Sequence, residues 1–349
     1  MTEKPKRGFF SRLLRALIVL SLLAGIAVGA GWWYMDRFAK TPVGGQPATI
    51  VIRPGESLAG VVMGLRDAHV EVGNAAEWQA LAAMLGVRSK MKVGEYAITP
   101  DMTPEQILRN IASGKVIQYQ FHLIEGWNMR ELRTALKTAP KMKHLLPATS
   151  DAALMQQLGR SRIPPEGRFL PETYAYTRDS TDIELLARAA KAMDKTLGEA
   201  WDHRDPNSVI RTADEALILA SLVEKETALA SERPQVAGVF VRRLQAGMKL
   251  ETDPTIIYGL GGSYTGTIRE RDKLLDTPYN TYKRTGLPPT PIAMPGRASI
   301  QAALHPAPGD ALFFVASRDG GPSVFTATLA EHQKAVAAYR KTHQQKQAP

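Results

Sequence analysis

The feature that most constrains this chain is the stretch 16–35, ALIVLSLLAGIAVGAGWWYM, which carries no charged side chain. As a helix rising about 1.5 Å per residue it is roughly 30 Å long, the thickness of a bilayer's hydrocarbon core. Trp32, Trp33 and Tyr34 stand at its far end, where an interfacial aromatic belt belongs. Lys4, Lys6, Arg7, Arg12 and Arg15 precede it, a bias that holds this end in the cytoplasm and sends the rest of the chain outside. A cleaved signal peptide is the competing reading. Against it, the apolar core is long for that role and its Trp-Trp-Tyr exit lacks a clean small-x-small site. No second stretch is long and apolar enough to span, so a single-pass protein is expected.

The charge balance follows from the same region. Of the net +10, residues 1–40 supply +5, from seven basic groups set against Glu3 and Asp36. The remaining excess is diluted over the rest of the chain and argues little for nucleic acid, which the topology excludes as a partner. A 44% hydrophobic content excludes wholesale disorder, and 349 residues suffice for two modules. The absence of cysteine excludes a disulfide scaffold and a thiolate nucleophile. The seven histidines are scattered without metal-ligand spacing, so neither metal nor cofactor is expected.

Beyond the apolar stretch the pattern is α+β. Residues 36–47 read as a linker rich in Gly and Pro. A small α/β module is expected over 48–99: a strand near 49–53, short helices at 58–65 and 75–85, and a strand near 93–98. A larger mixed α/β domain is expected over 100–340. It opens on a helix capped by Thr103 with Pro104 at its first position and stopped by Gly114. Segment 118–124 (QYQFHLI) alternates as a strand, and Asn128 with Glu131 forms a cap pair for a following helix. Residues 166–174 and 250–308 carry so many breakers that loops are expected there. Helices are expected over 182–197, from Thr212 to about 230, from Pro234 to Gly247 and over 330–341. A hairpin is expected around Asp319-Gly320-Gly321, and 341–349 should be a polar tail.

No nucleotide-binding glycine loop, HExxH or GxSxG pattern occurs, so the carboxylates carry the chemical signal. One helix runs apolar from Ala216 to Val223 and then presents Glu224-Lys225-Glu226-Thr227. Residues two apart point about 200° apart, so Glu224 and Glu226 cannot share one cleft. Either could be a carboxylate held against apolar neighbours, with the raised pKa that a general acid requires. Either could equally be an ion-paired helix end. The proline-stiffened segment 250–308, with its tyrosines and amides, suits sugar binding, though surface loops stapled by proline would read the same way.

These residues resemble the YceG-like family of membrane-anchored endolytic murein transglycosylases. The similarity is carried by Leu222-Val223-Glu224-Lys225-Glu226-Thr227, Ser231-Glu232-Arg233 and the run from Leu250 to Gly259. Tyr279-Asn280-Thr281-Tyr282, Gly286-Leu287-Pro288-Pro289 and Pro295-Gly296 fit the same pattern, as do Glu166-Gly167 and Pro171-Glu172-Thr173-Tyr174. The resemblance implies lytic cleavage of the bond between N-acetylmuramic acid and N-acetylglucosamine within peptidoglycan glycan strands, leaving 1,6-anhydro-muramyl ends. It places the catalytic glutamate on Glu224. Glu226, Asp253, Asn280, Tyr282, Glu172 and Tyr258 are expected to support or bind substrate. It further implies a LysM-like character for 48–99, an inner-membrane protein with its catalytic domain in the periplasm, and work beside peptidoglycan synthases, the penicillin-binding proteins. A non-catalytic peptidoglycan-binding anchor or a structural protein of division is the alternative.

Overall fold

The computed structural model describes residues 7–347 apart from 71, 207 and 316–321. The chain divides into two compact units, Met1–Tyr119 and Gln120–Pro349.

The first unit begins with helix α1 (Arg7–Lys40). Its segment Ser11–Lys40 has a mean hydropathy of 2.3 and is, by length and composition, able to cross a membrane. Strand β1 (Ala48–Ile52), helices α2 (Leu58–Asp67) and α3 (Ala75–Met84) and strand β2 (Gly94–Ile98) follow in βααβ order. The strands pair antiparallel from Ala48 opposite Ile98 to Ile52 opposite Gly94. Ile50 and Ile52, two residues apart, point to one face and bury there with Tyr96 and Ile98. Helix α4 (Pro104–Ser113) closes this core with Ile107, Leu108 and Ile111. The Thr103 side chain and Gln106 form its capping box, and Gly114 ends it at φ +78°, a backbone that side-chain-bearing residues rarely adopt. The stretch that reads as a linker does more than connect: Phe38, Ala39 and Val43 are buried in this core. Phe38 meets the Trp78 ring edge-on at 5.7 Å, and Trp78 Nε1 donates to Val72 O at 2.9 Å.

In the second unit, strand β3 (Tyr119–His122) pairs with β4 (Thr173–Tyr176). Thr173 and Tyr174 thus belong to a strand, where the sequence suggested loop. The breakers around them end the strand without preventing it, and Leu123 N donating to Glu172 O at 3.0 Å extends the tie. Helices α5 (Met129–Leu136), α6 (Asp151–Gln157) and α7 (Asp182–Asp202) lead to α8 (Ala213–Glu226). Every residue of α8 from Ala216 to Val223 is buried, as an all-round apolar helix demands. Helix α9 (Arg233–Gln245) packs beside it. The segment 250–308, expected to be loop, contains α10 (Asp253–Leu260), α11 (Glu270–Leu274) and α12 (Arg297–Leu304). Pro254 lies in the first turn of α10, where its missing N–H costs nothing, and Ile300, Ala303 and Leu304 of α12 are fully buried. Tertiary burial, rather than propensity, decides these short helices. Strands β5 (Phe313–Val315) and β6 (Val324–Thr326) pair antiparallel, and α13 (Leu329–Gln347) follows. The expected turn at Asp319-Gly320-Gly321 lies outside the described residues. Helix α13 runs beyond the expected end near 341, into the stretch expected to be a tail.

Candidate active site

The last turn of α8 carries the two glutamates into different surroundings. Glu224 turns toward 295–297. Gly296 N donates to its Oε2 at 2.9 Å, and Arg233 Nη2 lies 3.3 Å from its Oε1. The Glu224 side chain is only 5% exposed, and Arg233 is also within 3.6 Å of Glu125. A Cβ at position 296 would fall 1.9 Å from Glu125 Oε1, so a larger residue there would displace that side chain. Glu224 therefore spends both oxygens on fixed partners, one of them a cation.

Glu226 opens instead into a cavity of about 440 Å³. Thr252, Asp253, Tyr282, Phe313 and His332 are among the residues that line it. The Thr252 hydroxyl donates to Glu226 Oε1. Burial raises the Glu226 carboxyl from 4.5 to about 7; the Thr252 hydroxyl opposes this, and the negative charge of Asp253 adds to it. Tyr282 donates to Asp253 Oδ1 at 2.7 Å. Burial, with the carboxylate of Asp253, drives the Tyr282 phenol well above its usual 10.0, so it is a hydrogen-bond donor at neutral pH.

The cavity wall is held by a small network of hydroxyls. Thr252 N donates to Thr281 Oγ1 at 3.0 Å, and Thr255 Oγ1 donates to Thr252 O at 2.7 Å. Glu251 sits at φ +52°, an uncommon conformation for a residue with a side chain. Arg243 fixes that turn, donating to Lys249 O, Leu250 O and Glu251 Oε2 at 3.0–3.2 Å. Its guanidinium lies 4.9 Å from the centre of the Phe313 ring, a cation–π distance.

The structure thus brings Glu226, Asp253 and Tyr282 together at one cavity, whose lining does not include Glu224, Glu172, Asn280 or Tyr258. Glu172 accepts from Arg297 at 2.5 Å and does not line the cavity. Asn280 is buried and braces its own loop: Nδ2 donates to Lys273 O and Leu275 O, while Oδ1 accepts from Tyr282 N at 2.9 Å. It positions Tyr282. Tyr258 faces a second cavity and donates to Glu166 Oε2 at 2.9 Å. Sequence reasoning missed Thr252 and Arg243 as contributors. Thr252 could have been found as the neighbour of Asp253, but no motif marks Arg243, a basic residue in the last turn of α9 like Arg242 beside it.

A family model described as the YceG-like family matches residues 50–338. An endolytic murein transglycosylase of Bacillus subtilis is 30% identical over 275 residues, 74% of this chain and 76% of that protein. One from Streptococcus pneumoniae D39 is 26% identical over 71% of this chain, but this chain spans only 51% of that longer relative. A crystal structure of a yceG-like protein from Listeria monocytogenes superposes with a TM-score of 0.54 at 27% identity, covering 83% of this chain and 98% of that one.

Proposed function

This chain belongs to the YceG-like family, and we propose that it is a membrane-anchored lytic transglycosylase that cuts peptidoglycan glycan strands internally, with Glu226 as its proton donor. The observation that carries the residue assignment is the contrast at the end of α8. Glu226 is a carboxyl raised to about 7 at the wall of a cavity, while Glu224 is bound by Arg233 and Gly296 N. Both Glu224 oxygens are taken by these fixed partners, and Glu224 does not line the cavity. The donor role expected of Glu224 therefore passes in this reading to Glu226, and Glu224 becomes a residue that fixes the loop 295–297 to the helix.

The reaction needs one acid–base group. Glu226 gives its proton to the glycosidic oxygen as the bond from the muramyl C1 breaks. The new carboxylate then takes the proton of the muramyl C6 hydroxyl as that oxygen closes onto C1. The product is a 1,6-anhydro-muramyl end, and the glutamic acid is regenerated. No activated water is required, unlike the two-carboxylate hydrolases. Holding O6 near C1 replaces a bimolecular encounter. Thr252 orients the carboxyl, and the Asp253–Tyr282 pair supplies a directed donor and acceptor for sugar hydroxyls. The βααβ order and antiparallel strand pair support a LysM-like reading of the first module. Lys4, Lys6, Arg7, Arg12 and Arg15, ahead of the apolar stretch, support an orientation with the catalytic unit outside the cytoplasmic membrane, and the family relationship supports work beside peptidoglycan synthases, the penicillin-binding proteins.

The test is digestion of uncrosslinked glycan strands by the full chain, read by mass analysis. Internal cuts ending in anhydro-muramyl residues are expected. Reducing ends would replace the lytic reading with hydrolysis, and intact strands would leave only a binding protein.

A further inference from the structure

A second cavity of about 490 Å³ lies in the same unit, lined by Arg130 and Arg133 of α5 and by Lys137 just after it, with Asp151, Glu166 and Tyr258. The glycosyl-transfer chemistry above has no use for it. Its anionic groups are already engaged. Glu166 is 6% exposed and accepts from Met129 N at 3.0 Å and from Tyr258 OH at 2.9 Å. Asp151 is paired with Arg133 at 2.5 Å. Its cations are not all engaged. Among the described residues the Arg130 guanidinium and the Lys137 ammonium have no hydrogen-bond or ion-pair partner, and both side chains are exposed. The cavity therefore offers two free positive charges over a floor whose own acids are satisfied, which suits an anionic ligand.

Helix α10 ties this cavity to the first. Asp253 at its start lines one and Tyr258 near its end lines the other. Five helical residues separate them, roughly 7.5 Å along the axis. A peptide of four residues spans up to about 14 Å when extended. Asp253 and Tyr258 also lie about 140° apart around the helix, so a short branch on a sugar seated by Glu226 must pass around α10 to enter the second cavity, a path of the order of that extended length. We propose that this second cavity receives the acidic stem peptide carried by the muramyl residue, its carboxylates pairing with Arg130 and Lys137. This rests on the transglycosylase reading and adds a specificity element to it.

The test uses the full chain and a double variant, Arg130→Gln with Lys137→Gln. Two substrates are compared: glycan strands with their stem peptides, and the same strands stripped by an amidase. Binding of free L-Ala-γ-D-Glu-diaminopimelyl-D-Ala is measured by calorimetry in parallel. The expected result is a ten- to hundredfold loss of kcat/KM on peptide-bearing strands, about the value of one or two charged hydrogen bonds. Cleavage of stripped strands should not change, and peptide binding should vanish in the double variant while persisting in Glu226→Gln. Equal losses on both substrates, or no loss on either, would overturn the proposal. If no strand is cleaved by the unaltered protein, the transglycosylase reading fails, while peptide binding still decides the cavity. A double variant that does not fold is replaced by Lys137→Gln alone, whose side chain makes no contact within the protein that folding would need.

Discussion

Glu224 and Glu226 leave the same turn of one helix, two residues apart, and end in different surroundings. One meets a guanidinium and a backbone N–H; the other meets a threonine hydroxyl, a second carboxylate and a cavity. Helical geometry requires the separation. It does not say which of the two environments will hold the acid. That is decided by what the rest of the chain brings up: Arg233 and the 295–297 loop on one side, Thr252 and Asp253 on the other. A motif with two equivalent glutamates is therefore resolved by the partners of each.

The sharpest way to break this contrast is to neutralise each glutamate in turn. Glu226→Gln should keep the fold and lose roughly 10²- to 10⁴-fold in strand cleavage, with the upper end expected because one group serves twice. Glu224→Gln should lose far less, because an amide oxygen can still accept from Gly296 N. Rates are compared at equal thermal stability; the reverse order of losses would return the donor role to Glu224.

Next in size is a change in stability. Glu226 moves from 4.5 in its ordinary state to about 7 when folded, so between those values the folded chain binds the extra proton. Stability contributed by the protonated group is present below pH 4.5 and is lost as pH rises toward 7. The total is of order 3–4 kcal/mol at about 1.4 kcal/mol per unit. Glu166, raised by burial to about 7 against the Met129 N–H and Tyr258, adds a second loss in the same window. Denaturant midpoints of Glu226→Gln should therefore fall less between pH 4.5 and 7 than those of the unaltered chain. Parallel curves would mean that Glu226 is not desolvated.

The smallest effect sharpens the assignment. The Thr252 hydroxyl lowers the Glu226 pKa against the pull of burial. Thr252→Val removes that donor, so the alkaline limb of the pH–rate profile, expected near 7, should move up by a fraction of a unit to about one unit. The maximal rate should fall modestly as the carboxyl loses its orientation. A limb that stays in place would separate the titration seen in kinetics from Glu226.

Much of the scaffold is legible in the sequence because its signals are local. The boxes Thr103 with Gln106, Asn128 with Glu131, and Thr212 with Glu215 each begin a helix in the structure. Alternation marks β1 and β3. The segment 250–308 misleads because prolines count as breakers there, although Pro254 is compatible with a helical first turn and Gly296 with the residue before one. Of the site, the Glu-Lys-Glu-Thr turn, Asp253 and Tyr282 could be found by resemblance. The distinction between the glutamates could not, since Arg233 and Glu224 share no helix and Gly296 lies 72 residues from its acceptor. Asn280 and Glu172 illustrate a similar point: one braces the loop of Tyr282 and the other pairs with Arg297. Polar residues in a loop look alike in sequence whether they face a ligand or brace the backbone.

The burial of Phe38, Ala39 and Val43 gives α1 a mechanical meaning. The helix passes from its apolar stretch directly into the core of the βααβ module, and the ring of Phe38 is keyed against Trp78. A chain joined to its anchor by a floppy tether would sweep a hemisphere. A helix clamped into a folded module is instead a post set in a footing; were α1 in a bilayer, as proposed, it would hold the module at one height above it. In the proposed setting, that geometry confines the first module to the thin layer where new strands emerge and keeps it away from mature wall farther out.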